Sequence, residues 1–111
     1  MKYHIERNTV QETLVIPLYG RKICSELYPA LYHDRTAVRL MEQIDYDFSQ
    51  LSEKSGSVMH RFGFLEVAVR QNGLAREVRD YLGTHPGAAV VNLGCGLDNT
   101  GRQCDNGTCR I

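Results

Sequence analysis

The stretch Val90-Val91-Asn92-Leu93-Gly94-Cys95-Gly96-Leu97-Asp98 has the residue types to hold a ligand through backbone rather than side chains. The short, nearly continuous apolar run from Ala88 to Leu93 has the pattern of a strand buried on both faces of a parallel sheet. Gly94 lets the chain turn sharply at the end of that strand, and Gly96 lacks the Cβ that would block close approach. A nucleotide-type cofactor is the ligand such a turn serves. A dinucleotide fold would place a third glycine at position 99, where this chain has Asn99, so the spacing fits an ordinary strand-to-loop turn equally well.

The cysteines offer a second chemistry. Cys104-Asp105-Asn106-Gly107-Thr108-Cys109, with Cys95 nearby in sequence, could form a metal or disulfide clip. Zinc sites usually show two close pairs, or cysteine pairs followed by spaced histidines, and every histidine here lies upstream of Pro86. The expectation is therefore no metal, with Cys95 a packing residue rather than a nucleophile. The N-terminus has no apolar core of signal-peptide length, and no stretch approaches the ~20 apolar residues that span a bilayer. Reduced thiols in a cytoplasmic protein follow as the default. The 13 basic and 13 acidic residues balance without a Lys/Arg run, which argues against nucleic-acid or anionic-membrane partners.

A chain of 111 residues is one domain in size and can bury a modest core. Residues before about Leu18 have weak periodicity and read as an arm lying over something else. After Pro17, Leu18–Tyr28 is a short helix with Ile23, Leu27 and Leu31 in near-helical register, ended by Pro29. Asp34 is an N-cap for a helix over Arg35–Ile44, with Ala37, Leu40, Met41 and Ile44 on one stripe. Asp45–Leu51 reads as a turn with a short helical piece, and Ser52–Ser57 as a polar loop. The longest helix runs from about Ser57 to Leu82, with Met59, Phe62, Leu65, Val69, Leu74, Val78, Tyr81 and Leu82 as its core stripe. Its first half is apolar nearly all round, so both faces should be covered. Gly63 and Gly73 each cost about 1 kcal/mol in a helix, which leaves close packing, or a break near Asn72-Gly73, as alternatives. Gly83 and Pro86 end it. Asp105-Asn106-Gly107 is a turn signal, and Cys109-Arg110-Ile111 could begin a second strand.

Taken with Thr100, the run Val90–Asp98 resembles the first motif of class I S-adenosylmethionine-dependent methyltransferases. Asn92-Leu93-Gly94-Cys95-Gly96-Leu97-Asp98 is similar to the leucine carboxyl methyltransferase family, which includes the tetracenomycin-type O-methyltransferases. The family pattern is Asn-Leu-Gly-x-Gly-x-Asp-Thr; this chain inserts Asn99 before Thr100. Arg61-Phe62-Gly63, Arg70 and Arg76-Glu77-Val78 fit as well, as do Ile16–Lys22 and Tyr32-His33-Asp34. The resemblance covers almost the whole chain and corresponds to the N-terminal portion of such an enzyme.

The resemblance implies an α/β, Rossmann-like descent in a chain that is itself mostly α. Residues 1–56 would be the N-terminal arm and helical lid. Residues 57–111 would supply the long helix, the first parallel strand with its glycine turn, and the start of a second strand. Arg70 matches the helix arginine that pairs with the methionyl carboxylate of S-adenosylmethionine, a task suited to a guanidinium's two parallel hydrogen bonds. Gly94 and Gly96 match the turn beneath the cofactor, Asn92 opens the motif, and Asp98 is its acid. Lys22, or Arg21 beside it, matches a basic residue of the lid. The partners implied are the small-molecule cofactor and a methyl acceptor that no residue here specifies.

An intact enzyme of this type needs further strands, adenine-binding loops and an acceptor pocket, so the expectation is an O-methyltransferase fragment inactive alone. Val90, Val91 and Leu93 would each gain roughly 1.5–3 kcal/mol from full burial, against a typical total stability of about 5–15 kcal/mol. With too few strands some of them stay bare, and an open apolar edge recruits other chains. A homo-oligomer, or a poorly ordered last segment, is therefore expected. The competing readings are a non-catalytic, self-associating helical module and, third, a thiol or metal module built on Cys95, Cys104 and Cys109.

Overall fold

The computed structural model describes the backbone of residues 1–111 and the side chains of all but Lys54 and Ser55. The elements follow in the order β1 (Tyr3–His4), α1 (Val10–Leu27), α2 (Arg35–Gln43), β2 (Ile44–Asp45), α3 (Ser49–Ser55), α4 (Val58–Thr84) and α5 (Thr100–Gln103). The chain divides into two compact units, Met1–Ala68 and Val69–Ile111. It is mostly helical, as expected, with one two-stranded parallel sheet.

In the first unit, α1 begins at Val10, not at Leu18, so most of the expected arm is helix. The start signal is Thr9 followed three residues later by Glu12. Thr9 takes the extended N-cap conformation, and the Glu12 carboxylate accepts the Asn8 N–H at 2.6 Å. Pro17 lies inside the helix, where it removes one backbone donor. The helix continues through it because Val15, Leu18 and Tyr19 on either side are all buried, and that packing outweighs one missing hydrogen bond. What remains of the arm, Tyr3–His4, pairs in parallel with Ile44–Asp45 in the register Tyr3↔Ile44 and His4↔Asp45.

Asp34 caps α2 as its position predicts, its Oδ1 accepting the Ala37 N–H at 2.9 Å. Ala37, Met41 and Ile44 are buried, so the stripe read from the sequence is the core face. The Asp34 carboxylate also takes a 3.0 Å hydrogen bond from Arg21 Nε and one of 3.2 Å from the Tyr32 hydroxyl. Burial, and then the Asp34 charge, raise the Tyr32 phenol well above its ordinary value. Ser49–Ser55 is helical where a loop was expected from Ser52; Asp47 Oδ1 accepts the Ser49 N–H at 3.0 Å and starts the turn. Tyr19 stacks on Phe48 at 5.8 Å and meets Phe64 edge-on at 5.6 Å, which ties α1 to the start of α4.

The α4 helix runs unbroken through Asn72-Gly73. Its buried face is not the expected stripe. Phe64, Ala68, Gln71, Ala75 and Leu82 are buried, whereas Met59, Phe62, Leu65, Val69, Leu74 and Tyr81 are exposed, and only Val78 and Leu82 of the expected set reach a core. Two stripes of helical spacing compete on this helix, and apolar content alone favoured the wrong one. The chosen face carries two alanines, which allow close approach, and a glutamine that finds polar partners. Nothing stands within 4 Å of a Cβ built at Gly63 or Gly73, so close packing explains neither.

The second unit is built on Ala75, Leu82 and Cys104, with Val78, Ala88, Val90 and Cys109 packed against them. The expected first strand and the start of the second are present as one parallel bridge, Ala89↔Arg110. Val90 N–H donates to the Arg110 carbonyl at 2.6 Å, and Arg110 N–H to that of Ala88 at 3.1 Å. The strand is not buried on both faces: Val90 faces the core, but Val91 is 76% and Leu93 87% exposed. The described residues supply a backbone partner on one side and a helix on one face, and leave the other face bare. Among the described residues, no helix is long and apolar enough to cross a membrane.

Candidate functional site

Gly94 and Gly96 both adopt left-handed backbone, at φ +60° and +52°. For an L side chain that conformation costs roughly 1–2 kcal/mol, so the two glycines are required by the turn itself. Among the described residues nothing lies within 4 Å of a Cβ built at Gly94.

The turn is closed from within. Asn92 Nδ2 donates to Asp98 Oδ2 at 2.7 Å across its mouth, and the Asp98 N–H bonds to the Cys95 carbonyl at 2.8 Å. Asp98 Oδ1 accepts from the Thr100 hydroxyl at 2.9 Å and from Gln71 Nε2 at 2.8 Å. Gln71 Nε2 also reaches Asn99 Oδ1 at 3.0 Å. Burial is the largest single influence on the Asp98 carboxyl and favours its neutral form. The hydrogen bonds from Asn92, Thr100 and Gln71 together outweigh it and hold the pKa below the usual carboxylate range.

Asn92, Gly94, Gly96 and Asp98 thus form one closed loop. Arg70 stands on α4 one residue before Gln71; it is exposed, and none of the described ion pairs involves it. Lys22 lies in the first unit and pairs with Glu26 at 3.0 Å along α1. Its neighbour Arg21 is buried against Asp34 at 3.0 Å. Sequence reasoning missed Gln71. A polar residue in register with Phe64, Ala68 and Ala75 was the available signal, because a buried amide needs a partner. All four cysteines are free thiols, and Cys104 Sγ donates to the Ala75 carbonyl at 3.4 Å. Among the described residues no group of three or more His, Cys, Asp or Glu side chains could hold a metal ion.

A parallel bridge, a turn through two left-handed glycines and an acid that closes it thus lie together in the second unit. The chain is similar to the tetracenomycin polyketide synthesis O-methyltransferase TcmP of Streptomyces glaucescens, 31% identical over 96 residues. The match takes in 86% of this chain and 33% of that protein, so the chain spans about a third of the length of the curated relative it matches. It bears out the resemblance read from the glycine motif and the helix before it. No family model matches, and no solved structure matches.

Proposed function

We propose that this chain is the cofactor-binding start of an S-adenosylmethionine-dependent O-methyltransferase with a Rossmann-like sheet. The observation that carries the reading is the left-handed Gly94–Gly96 turn, bonded through Asp98 to Gln71, the residue after the exposed Arg70 on α4. It is supported by the similarity to an O-methyltransferase over most of the chain. Backbone at Gly94 and Gly96 would pass beneath the cofactor, and the Arg70 guanidinium would grip its methionyl carboxylate through two parallel hydrogen bonds. Asn92 and Asp98 keep the turn in shape. Lys22 of the first unit, paired with Glu26 along α1, is assigned to the cofactor by the family resemblance alone.

When bound, S-adenosylmethionine supplies an electrophilic methyl group. Such a transfer is an in-line displacement, so positioning dominates and no covalent protein intermediate is needed. The residues described hold one end of the cofactor; the acceptor, a carboxylate or hydroxyl on a small molecule or protein, is a matter for the whole protein. The cytoplasm, where free thiols stay reduced, is the proposed setting.

The test is calorimetric titration of the chain with S-adenosylmethionine. Binding is expected, and Arg70→Ala should weaken it by about tenfold or more, the loss of a charge-assisted bidentate contact, with an unchanged helical circular dichroism spectrum. Unchanged affinity in that variant would remove Arg70 from the site. A second reading, a non-catalytic self-associating helical module, is favoured by one observation, the bare apolar faces of α4 and of Val91 and Leu93. It predicts tight oligomers and no cofactor heat.

A further inference from the structure

We propose that Gln71 is a positioning residue: with Asp98 it forms a clasp that fixes the glycine turn against α4 and so sets where Arg70 stands relative to that turn. The inference rests on the cofactor reading above and assigns Asp98 to the clasp rather than to the ligand. Gln71 is only 8% exposed, on a helix face otherwise lined by Phe64, Ala68 and Ala75. An amide buried there costs stability unless it is hydrogen-bonded, and its Nε2 is bonded to both Asp98 and Asn99.

A carboxylate has roughly four acceptor positions. Three of those of Asp98 are taken, by Asn92, by Gln71 and by the hydroxyl of Thr100. Most of the acceptor capacity of Asp98 is therefore spent within the clasp. Arg70 precedes Gln71 on a continuous helix, and one residue is only ~1.5 Å of axial rise, so pinning Gln71 pins the backbone of Arg70.

Gln71→Glu tests the clasp with an isosteric side chain. Ionised, the introduced carboxylate would set a second negative charge against Asp98; protonated, its O–H could donate to Asp98 Oδ1 and restore the bond. The Cys104 thiol feels the charges of both Asp98 and Arg79. In titrations with S-adenosylhomocysteine the wild type should bind equally from about pH 5 to pH 7.5. Gln71→Glu should bind about tenfold more weakly at pH 7.5 and recover toward pH 5, whereas Gln71→Ala should be weak throughout. Affinity of Gln71→Glu that is independent of pH would overturn the positioning role. Amide hydrogen exchange at Thr100–Gln103 reads the clasp without any ligand: it should speed up in Gln71→Glu as pH rises, by more than in the wild type. Equal pH dependence in the two proteins would overturn the clasp. If the wild type binds no cofactor at either pH, the cofactor reading fails and the positioning role with it, while the exchange measurement still judges the clasp.

Discussion

At the residue scale, Asp98 joins three parts of the second unit, accepting from side chains of α4, the turn and α5. Its carboxyl is held below the ordinary range because protonation would cost those bonds more than burial gains. A depressed folded-state pKa contributes stability that is present above the unfolded value of about 4 and is lost as pH falls through the folded one. Denaturant titrations should therefore show Asp98→Asn less stable than the wild type near pH 7, with the gap closing in acid. A gap of constant size from pH 7 to pH 3 would mean that the charge contributes nothing. Asp34 presents the buried counterpart in the first unit. Its bond to Arg21 leaves Asp34→Ala with an uncompensated buried guanidinium, and a loss of about 3–5 kcal/mol is expected by the same denaturant measurement.

At the scale of elements, glycines of the two long helices make opposite predictions. A Cβ at Gly20 would stand 2.9 Å from Phe64 Cδ1, and the Phe64 ring is already held edge-on by Tyr19. Gly20→Ala should cost about 1–3 kcal/mol through overpacking of α1 on α4. At Gly63 and Gly73 no atom lies within 4 Å of the added carbon, so Ala at each should stabilise α4 by about 1 kcal/mol. Melting temperatures of the three single variants decide the matter; a lower value for Gly63→Ala would show that its open face is occupied in solution. Gly20 and Gly63 look alike in the sequence, both inside apolar helices. Only the position of Phe64 separates them.

At the scale of the whole molecule, the uncovered apolar surface is the dominant fact. Phe62 is 67% exposed on α4, with Val58, Met59 and Val69 also bare, and Val91 and Leu93 are bare beyond the bridge to Arg110. Exposed large apolar side chains in such number mark an association liability. We expect the chain to self-associate: sedimentation should give a mass above that of one chain, rising with concentration, and Phe62→Gln should lower it. A wild-type chain that sediments as a monomer at high concentration would set this expectation aside.

Local chemistry was legible in the sequence wherever a residue's own backbone or its near neighbours decide the outcome. The Asp34 cap, the stop at Pro29, the stripe of α2, the length of α4 and the glycine turn all belong there, since capping, ring closure and left-handed φ act within a few residues. The capping pattern of Thr9 and Glu12 was equally local and was hidden by Pro17. Tertiary structure alone decided which of two apolar stripes of α4 faces inward, that the helix survives Pro17, and that Asp98 turns its acceptors to Gln71 and Thr100. Those outcomes depend on what lies across the core from each side chain, and hydrophobic periodicity carries no information about that partner.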